Sequence, residues 1–321
     1  MARRRRLELI LLTGFLGSGK TTLLRRALDH ERGAGVAVVV NEFSDIGLDQ
    51  ELAAGSCAAC LLIAGGCACC NRREELLAAL HRLLDDSERG VLSGLRRVVI
   101  ETSGLADPAP IATAIATDPV LRHHFELKAI VAVVDGLAGL EQLRTQLEVK
   151  RQVEIADRVV ISKTDLAPAT HIAELECVLS VLNPAAVVER APMGGASLFG
   201  SSIELPHRSS RANVARSLQH EHSQAVACLS LAFDSPLDWV AFGVWLSMLL
   251  HTHGTELLRV KGIIDAAGLG AVAINTVEQL MYPPEHLGNR GRAQQARLVF
   301  IARGLEPQSI ARSLWAFQHV A

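Results

Sequence analysis

The chain alternates between short runs that are apolar throughout and longer stretches in which apolar residues recur every three or four positions. Residues 7–13 (LELILLT), 36–40 (VAVVV), 96–100 (RRVVI), 129–134 (AIVAVV), 158–161 (RVVI) and 187–189 (VVE) belong to the first kind. Short runs rich in Val and Ile, without a polar face, predict strands covered on both sides. Residues 72–84 belong to the second kind, with Leu76, Leu77, Leu80, Leu83 and Leu84 on one side of a helix, and residues 22–30 form a shorter amphipathic helix. Strands alternating with helices predict a doubly wound α/β domain with a parallel sheet.

Near residue 194 the pattern changes. Residues 194–224 are rich in Ser, Gly, Arg and His, with Pro206 inside, and read as a linker. Beyond them, strands are expected over 227–233, 256–264, 271–277 and 298–302. Helices are expected over 236–251, with Trp239, Phe242, Trp245, Leu246 and Leu249 in the core, and over 308–320. The expected organisation is an α/β domain at 1–195, a linker at 196–225 and a smaller antiparallel α+β domain at 226–321.

Composition narrows the function classes. Hydrophobic residues make up 49% and charged residues 21% of 321, the balance of a globular chain. The formal net charge of −2 gives no reason to expect nucleic acid. The Arg3–Arg6 cluster reads as a solvated tip, because the apolar run after it is a strand rather than a signal segment. No apolar run approaches the roughly 18 residues of a membrane span. The cysteines without a secretory signal point to a reducing, cytoplasmic setting, and so to metal or redox use rather than disulfides.

The first strand runs into Gly14-Phe15-Leu16-Gly17-Ser18-Gly19-Lys20-Thr21, which fits G-x-x-x-x-G-K-[ST]. In this strand–loop–helix context Gly14, Gly17, Ser18 and Gly19 let backbone N–H groups close on phosphate oxygens at a helix N-terminus. Lys20 reaches the β- and γ-phosphates, Thr21 faces Mg²⁺, and Thr22 continues the loop into the helix. Glu101 ends a later apolar strand with Gly104 three residues on, as in a Walker B element. The carboxylate would hold the Mg²⁺ shell, and the Gly104 N–H could meet the γ-phosphate. Asp135 reads first as a strand-end cap and second as a functional carboxylate. Ser162-Lys163-Thr164-Asp165 resembles the guanine-reading N-K-x-D element with Ser in the first place. A carboxylate at Asp165 can accept from guanine N1–H and N2–H₂ together, which adenine does not offer.

Residues 41–49 (NEFSDIGLD) read either as a switch segment facing the nucleotide's metal or as a polar loop. Five of the seven cysteines follow closely: Cys57, Cys60, Cys67, Cys69 and Cys70. Thiolates are soft ligands suited to Zn²⁺, and cysteines this near in sequence can share one tetrahedral ion. Two or three of Cys67, Cys69 and Cys70 are expected to bind, with Glu42, Asp45 or an upstream cysteine completing the set. A redox pair at Cys57 and Cys60 is the rival reading. His220-Glu221-His222 reads as solvated linker before it reads as a metal site.

With these elements in order, the chain resembles the CobW-type GTPases, relatives of the nickel-delivering GTPases of urease and hydrogenase maturation. The resemblance rests on residues 11–24 (LLTGFLGSGKTTLL), 38–49 (VVVNEFSDIGLD), 65–70 (GGCACC), 98–111 (VVIETSGLADPAPI), 161–166 (ISKTDL), 257–264 (LLRVKGII) and 298–305 (LVFIARGL). It departs from the family's N-E-F-G-E at Ser44 and Asp45. The resemblance implies GTP hydrolysis with Mg²⁺, coupled to handling of Zn²⁺ or Co²⁺ in a metallochaperone or in metallocofactor assembly such as cobalamin synthesis. It implies a metal-receiving client protein, no nucleic acid and no membrane, and it extends to a homodimer formed on metal or nucleotide. Two rival classes are a P-loop small-molecule kinase, which gives no reason for clustered thiols, and a non-catalytic thiol store or redox sensor.

Overall fold

The apolar runs of the N-terminal part become the strands of one parallel sheet. The computed structural model describes residues 6–30, 35–41, 57–62, 71–191, 198–199, 226–287 and 296–320. Its strands β1 (Leu7–Gly14), β2 (Val36–Asn41), β3 (Ala59–Leu62), β4 (Arg97–Thr102), β5 (Phe125–Asp135), β6 (Arg158–Ser162) and β7 (Val187–Arg190) pair in the order β3-β2-β4-β1-β5-β6-β7. Every neighbouring pair is parallel. Such pairing needs crossover connections, and helices supply most of them. They are α1 (Lys20–His30), α2 (Asn71–Glu88), α3 (Pro108–Thr117), α4 (Leu121–His124), α5 (Gly139–Thr145), α6 (Leu147–Glu154) and α7 (Ala169–Leu182).

β1 lies at the middle, with Leu11 in register with Ile100 on one side and with Ile130 on the other. One face of the sheet packs Ile10, Leu12, Val38, Val99, Val131, Val133 and Val160 with Leu24 and Leu28 of α1. Each such side chain contributes roughly 1.5–3 kcal/mol by leaving water. Leu9 and Leu11, on the opposite face of β1, are as fully buried. This two-sided burial is why these runs carry no polar alternation.

β3 adds a strand to those expected. Residues 57–62 stand out in sequence for their thiols, yet Cys60 lies in β3 in register with Val38, and Cys57 and Cys60 pack against the core. Burial pushes the Cys57 thiol up, against a weaker opposing hydrogen bond from the Ala59 backbone. That direction disfavours the thiolate form that metal binding and thiol exchange both need.

The chain divides into two compact units, Met1–Glu176 with Val187–Ser202, and Cys177–Ala186 with Ile203–Ala321. The second carries β8 (Val226–Ala232), α8 (Trp239–His253), β9 (Leu257–Ala266), β10 (Gly270–Val277), β11 (Leu280–Met281), β12 (Glu285–His286), β13 (Arg297–Arg303) and α9 (Pro307–Val320). The strands form an antiparallel sheet in the order β11-β10-β9-β13-β8, with β12 beside β10. α8 starts at Asp238, whose side chain accepts from Ala241 N at 2.7 Å, a helix N-cap. Phe242, Trp245 and Leu246 of α8 join Val260, Ile264, Phe300 and Leu314 in one core. Trp245 meets Phe300 edge-on at 6.1 Å and donates its indole N–H to Ser313 Oγ at 3.0 Å, so its polar atom is satisfied. Among the described residues no helix is long and apolar enough to cross a membrane.

Candidate functional site

The strands of the parallel sheet end together, and their last residues carry the chemistry: Gly14 on β1, Glu101 and Thr102 on β4, Asp135 on β5 and Ser162 on β6. This is the edge of an open α/β sheet where ligands bind. Gly14 turns the chain into the loop at φ +143°. A Cβ there would lie 2.3 Å from Val133 O and 2.8 Å from Ser18 Oγ, so no other residue fits. Gly17 and Gly19 also have positive φ, at 72° and 91°. The loop ends at Lys20, the first residue of α1, and its ammonium is buried and donates to Phe15 O at 3.3 Å. Ser18 Oγ is buried with no hydrogen-bond partner among the described residues, a polar atom left facing the cradle. Thr22 is exposed on the first turn of α1.

β4 brings its carboxylate to this loop. Thr21 Oγ1 donates to Glu101 Oε1 at 2.5 Å, joining residues that are far apart in sequence. Glu101 is fully buried, and Thr102 beside it donates to Thr13 Oγ1 at 3.0 Å, which ties the ends of β4 and β1 together. A hydroxyl and a buried carboxylate are hard oxygen donors of the kind Mg²⁺ prefers, so the residues fit that ion. Gly104 lies against the loop as well. A Cβ on it would approach Leu16 N within 2.6 Å, so only glycine lets this backbone come so near.

β6 closes the other side. Ser162 Oγ donates to Ser18 O at 2.7 Å, and Lys163 Nζ donates to Gly17 O at 2.9 Å, so both bind the phosphate loop directly. Lys163 holds φ 53°, a left-handed conformation uncommon for a side-chain-bearing residue. It is fixed by Asp135, whose Oδ2 accepts from Lys163 Nζ at 2.5 Å while Oδ1 accepts from Leu137 N and Ala138 N at 2.8 and 3.2 Å. Burial works against ionisation of Asp135, and the Lys163 ammonium with the two N–H groups overcomes it, so its carboxyl lies below the ordinary Asp range. Asp135 thus caps the strand end, the first of its two readings from sequence, and also pairs with Lys163. Asp165, two residues on, is exposed.

The structure therefore gathers Gly14, Gly17, Ser18, Gly19, Lys20, Thr21, Glu101, Gly104, Ser162 and Lys163 around one loop. Glu42, Asp45, Cys67, Cys69 and Cys70 lie outside the described residues, as do His220 and His222. Among the described residues no group of three or more His, Cys, Asp or Glu side chains is placed to hold a metal ion. β2 ends beside the phosphate site, with Val40 and Asn41 in register with Glu101 and Thr102, and Glu42 follows it in sequence. Gln152 of α6 was not singled out in sequence. Its buried amide donates to Gly104 O and Ala106 O, both at 3.1 Å. The signal was present: Val149, Gln152 and Val153 share one helical face, and a glutamine on an apolar face needs partners.

Comparisons with known proteins agree with this geometry. The model of the family "CobW/HypB/UreG, nucleotide-binding domain" matches residues 8–189, and that of the "Cobalamin synthesis protein cobW C-terminal domain" matches residues 226–318. The chain is 32% identical over 260 residues to the zinc chaperone YjiA of Escherichia coli (strain K12), covering 79% of this chain and 80% of that one. It is 29% identical to the zinc chaperone CobW of Pseudomonas aeruginosa, covering 96% and 91%. It is 28% identical to the zinc-regulated GTPase metalloprotein activator 1 of Schizosaccharomyces pombe, covering 68% and 54%. Among solved structures, a Zn(II)-bound triple mutant of the YjiA GTPase superposes with a TM-score of 0.74 at 25% identity, covering 98% of this chain and 99% of that one.

Proposed function

The chain belongs to the CobW/HypB/UreG family of nucleotide-binding proteins, and from that premise we propose that it is a GTP-hydrolysing metallochaperone that couples its nucleotide state to binding of Zn²⁺ and its transfer to a client protein. The observation that carries this reading is the Thr21–Glu101 pair at the mouth of a phosphate loop to which Ser162 and Lys163 are also bonded. These bonds bring the β4 and β6 strand ends to one loop, which supports a triphosphate at the loop and a base beside residues 162–165.

Each residue has a role in this reading. Backbone N–H groups between Gly14 and Thr22 hold the phosphates, and Lys20 places a fixed cation by the β- and γ-oxygens. Mg²⁺, when bound, neutralises charge on the β- and γ-oxygens. Thr21 and Glu101 are the groups that would hold it. Gly104 offers its N–H to the γ-phosphate, and Asp165 accepts from the guanine edge. Zinc is cargo: two or three of Cys67, Cys69 and Cys70 bind it as thiolates, with Glu42, Asp45 or an upstream cysteine completing the set, and where only three protein ligands bind, a position stays open for transfer. Co²⁺ is the second cargo this donor set accepts. The packing of Cys57 and Cys60 argues for the later cysteines as ligands.

The GTPase domain spans 1–195, a linker 196–225 and the C-terminal domain 226–321. The matched family spans, 8–189 and 226–318, support this division. The reading extends to a cytoplasmic protein that dimerises on metal or nucleotide. A kinase or a passive thiol store fits less well, since the relatives carry the names of zinc chaperones and GTPases. The test is steady-state GTP hydrolysis. Lys20→Ala should abolish it, and Glu101→Ala should lower turnover more than nucleotide affinity. A Glu101→Ala variant that hydrolyses GTP at the wild-type rate removes Glu101 from the site.

A further inference from the structure

The residues 103–107 that follow Glu101 form a tight turn, closed by Ala106 N donating to Ser103 O at 3.0 Å. On one side this turn presses on the phosphate loop, with Gly104 so near Leu16 that a Cβ has no room. On the other side it meets α6. Gln152 Nε2 donates at 3.1 Å to both Gly104 O and Ala106 O, and Arg151 Nη1 lies 3.7 Å from Asp107 Oδ2. Gly104 is therefore held between the phosphate loop and the Gln152 amide.

We propose that Gln152 is a positioning residue for GTP hydrolysis, holding the turn by the carbonyls of Gly104 and Ala106 so that Gly104 stays against the phosphate loop with its N–H set for the γ-phosphate. The proposal rests on the assignment of Gly104 to the γ-phosphate made above. Three features of the structure support it. Gln152 is 1% exposed, so water does not compete for its two bonds. Both bonds go to carbonyls of this turn, one on either side of Leu105, so the turn is held at two points. The third is the other half of the amide: Gln152 Oε1 is buried with no hydrogen-bond partner among the described residues. A packing role does not account for that cost, since methionine would fill a similar volume without desolvating an amide. The donor half is what the turn uses.

The role predicts a separation between nucleotides. GDP has no γ-phosphate to meet Gly104, so its binding does not need the turn in place. Hydrolysis does, because an oxygen that gains charge in the transition state must find its donor already set. The variant Gln152→Met keeps length and shape and removes both bonds. Its kcat for GTP should fall about tenfold or more, the factor expected when a preset donor is lost, while GDP affinity stays within about threefold. If Gln152→Met does not fold, Gln152→Leu takes its place, since it is also apolar and donates to neither carbonyl. Wild-type kcat in the folded variant overturns the proposal. So does an equal loss of GDP and GTP affinity with unchanged kcat, which is what a packing role gives. Gly104→Ala separates the two assignments. If it hydrolyses GTP normally, the γ-phosphate role of Gly104 falls and this proposal with it. If it is inactive while Gln152→Met turns over normally, only this proposal falls.

Discussion

Removing the charge of Asp135 should weaken GDP and GTP binding alike. Asp135→Asn keeps an oxygen for Leu137 N and Ala138 N but breaks the ion pair with Lys163, at 2.5 Å in the native chain. A hydrogen bond between charged groups is worth about 1.5–3 kcal/mol. The Lys163 side chain is 36% exposed, so solvent screening reduces this to about 1 kcal/mol. Lys163 also stands at φ 53°, a conformation that costs roughly 1 kcal/mol and that the pair helps to hold. With the lysine released from Gly17 O, the total is about 1–2 kcal/mol, or roughly 5–30-fold in Kd. The loss should be equal for the two nucleotides, because Lys163 acts on the loop at Gly17 and not at the γ-phosphate. Titration of a fluorescent GDP and of a non-hydrolysable GTP analogue measures it. Unchanged affinity for both, or a loss confined to the GTP analogue, refutes the reasoning. The same pair sets a pH dependence. Asp135 ionises more readily in the folded chain, so the unfolded chain binds the extra proton and stability rises with pH through that interval. The contribution is complete above the ordinary Asp value of about 3.9 and is lost as pH falls through the lower folded value. Acid unfolding of Asp135→Asn should lack this component, and a variant as acid-labile as wild type contradicts it.

At the base end, Asp165→Asn should weaken GTP and favour xanthosine nucleotides, whose C2 carries a carbonyl in place of the amino group; equal ATP and GTP binding by the wild-type chain removes the guanine assignment. At the loop, Gly14→Ala places a methyl 2.3 Å from Val133 O at φ +143°. It should cost about 3 kcal/mol or more of stability, a backbone-strain effect read as a lower Tm. An unaltered Tm contradicts that packing.

The strands were legible in sequence because two-sided burial leaves an unbroken apolar run, and the phosphate loop because its glycines and lysine are contiguous. β3 was not, because a four-residue edge strand carries too short a pattern to outweigh its cysteines. The roles of Asp135 and Gln152 depend on register between elements distant in sequence. Asp135 meets Lys163 because β5 and β6 end side by side, with Asp135 opposite Ser162. Gln152 meets Gly104 because α6 packs beside the turn after β4. The sequence marks each as a polar residue in an apolar setting, but the partner comes only from the fold.

The central claim is that nucleotide state and metal affinity are coupled, and a zinc competition titration tests it directly. In sequence, residues 41–70 join the end of β2, where Val40 stands in register with Glu101, to α2, which begins at Asn71 directly after Cys70. A γ-phosphate can order such a segment and its hydrolysis release it. Wild-type chain and a Cys69→Ser, Cys70→Ser double variant are each titrated with GDP and with a non-hydrolysable GTP analogue. The account predicts that zinc affinity in the wild type differs between the two states by about 5–150-fold, a coupling of about 1–3 kcal/mol, and that zinc shifts nucleotide affinity by the same factor. In the double variant the tight site should be lost. Identical zinc affinity in both nucleotide states contradicts the claim, and a double variant that binds zinc like the wild type removes this cluster as the site.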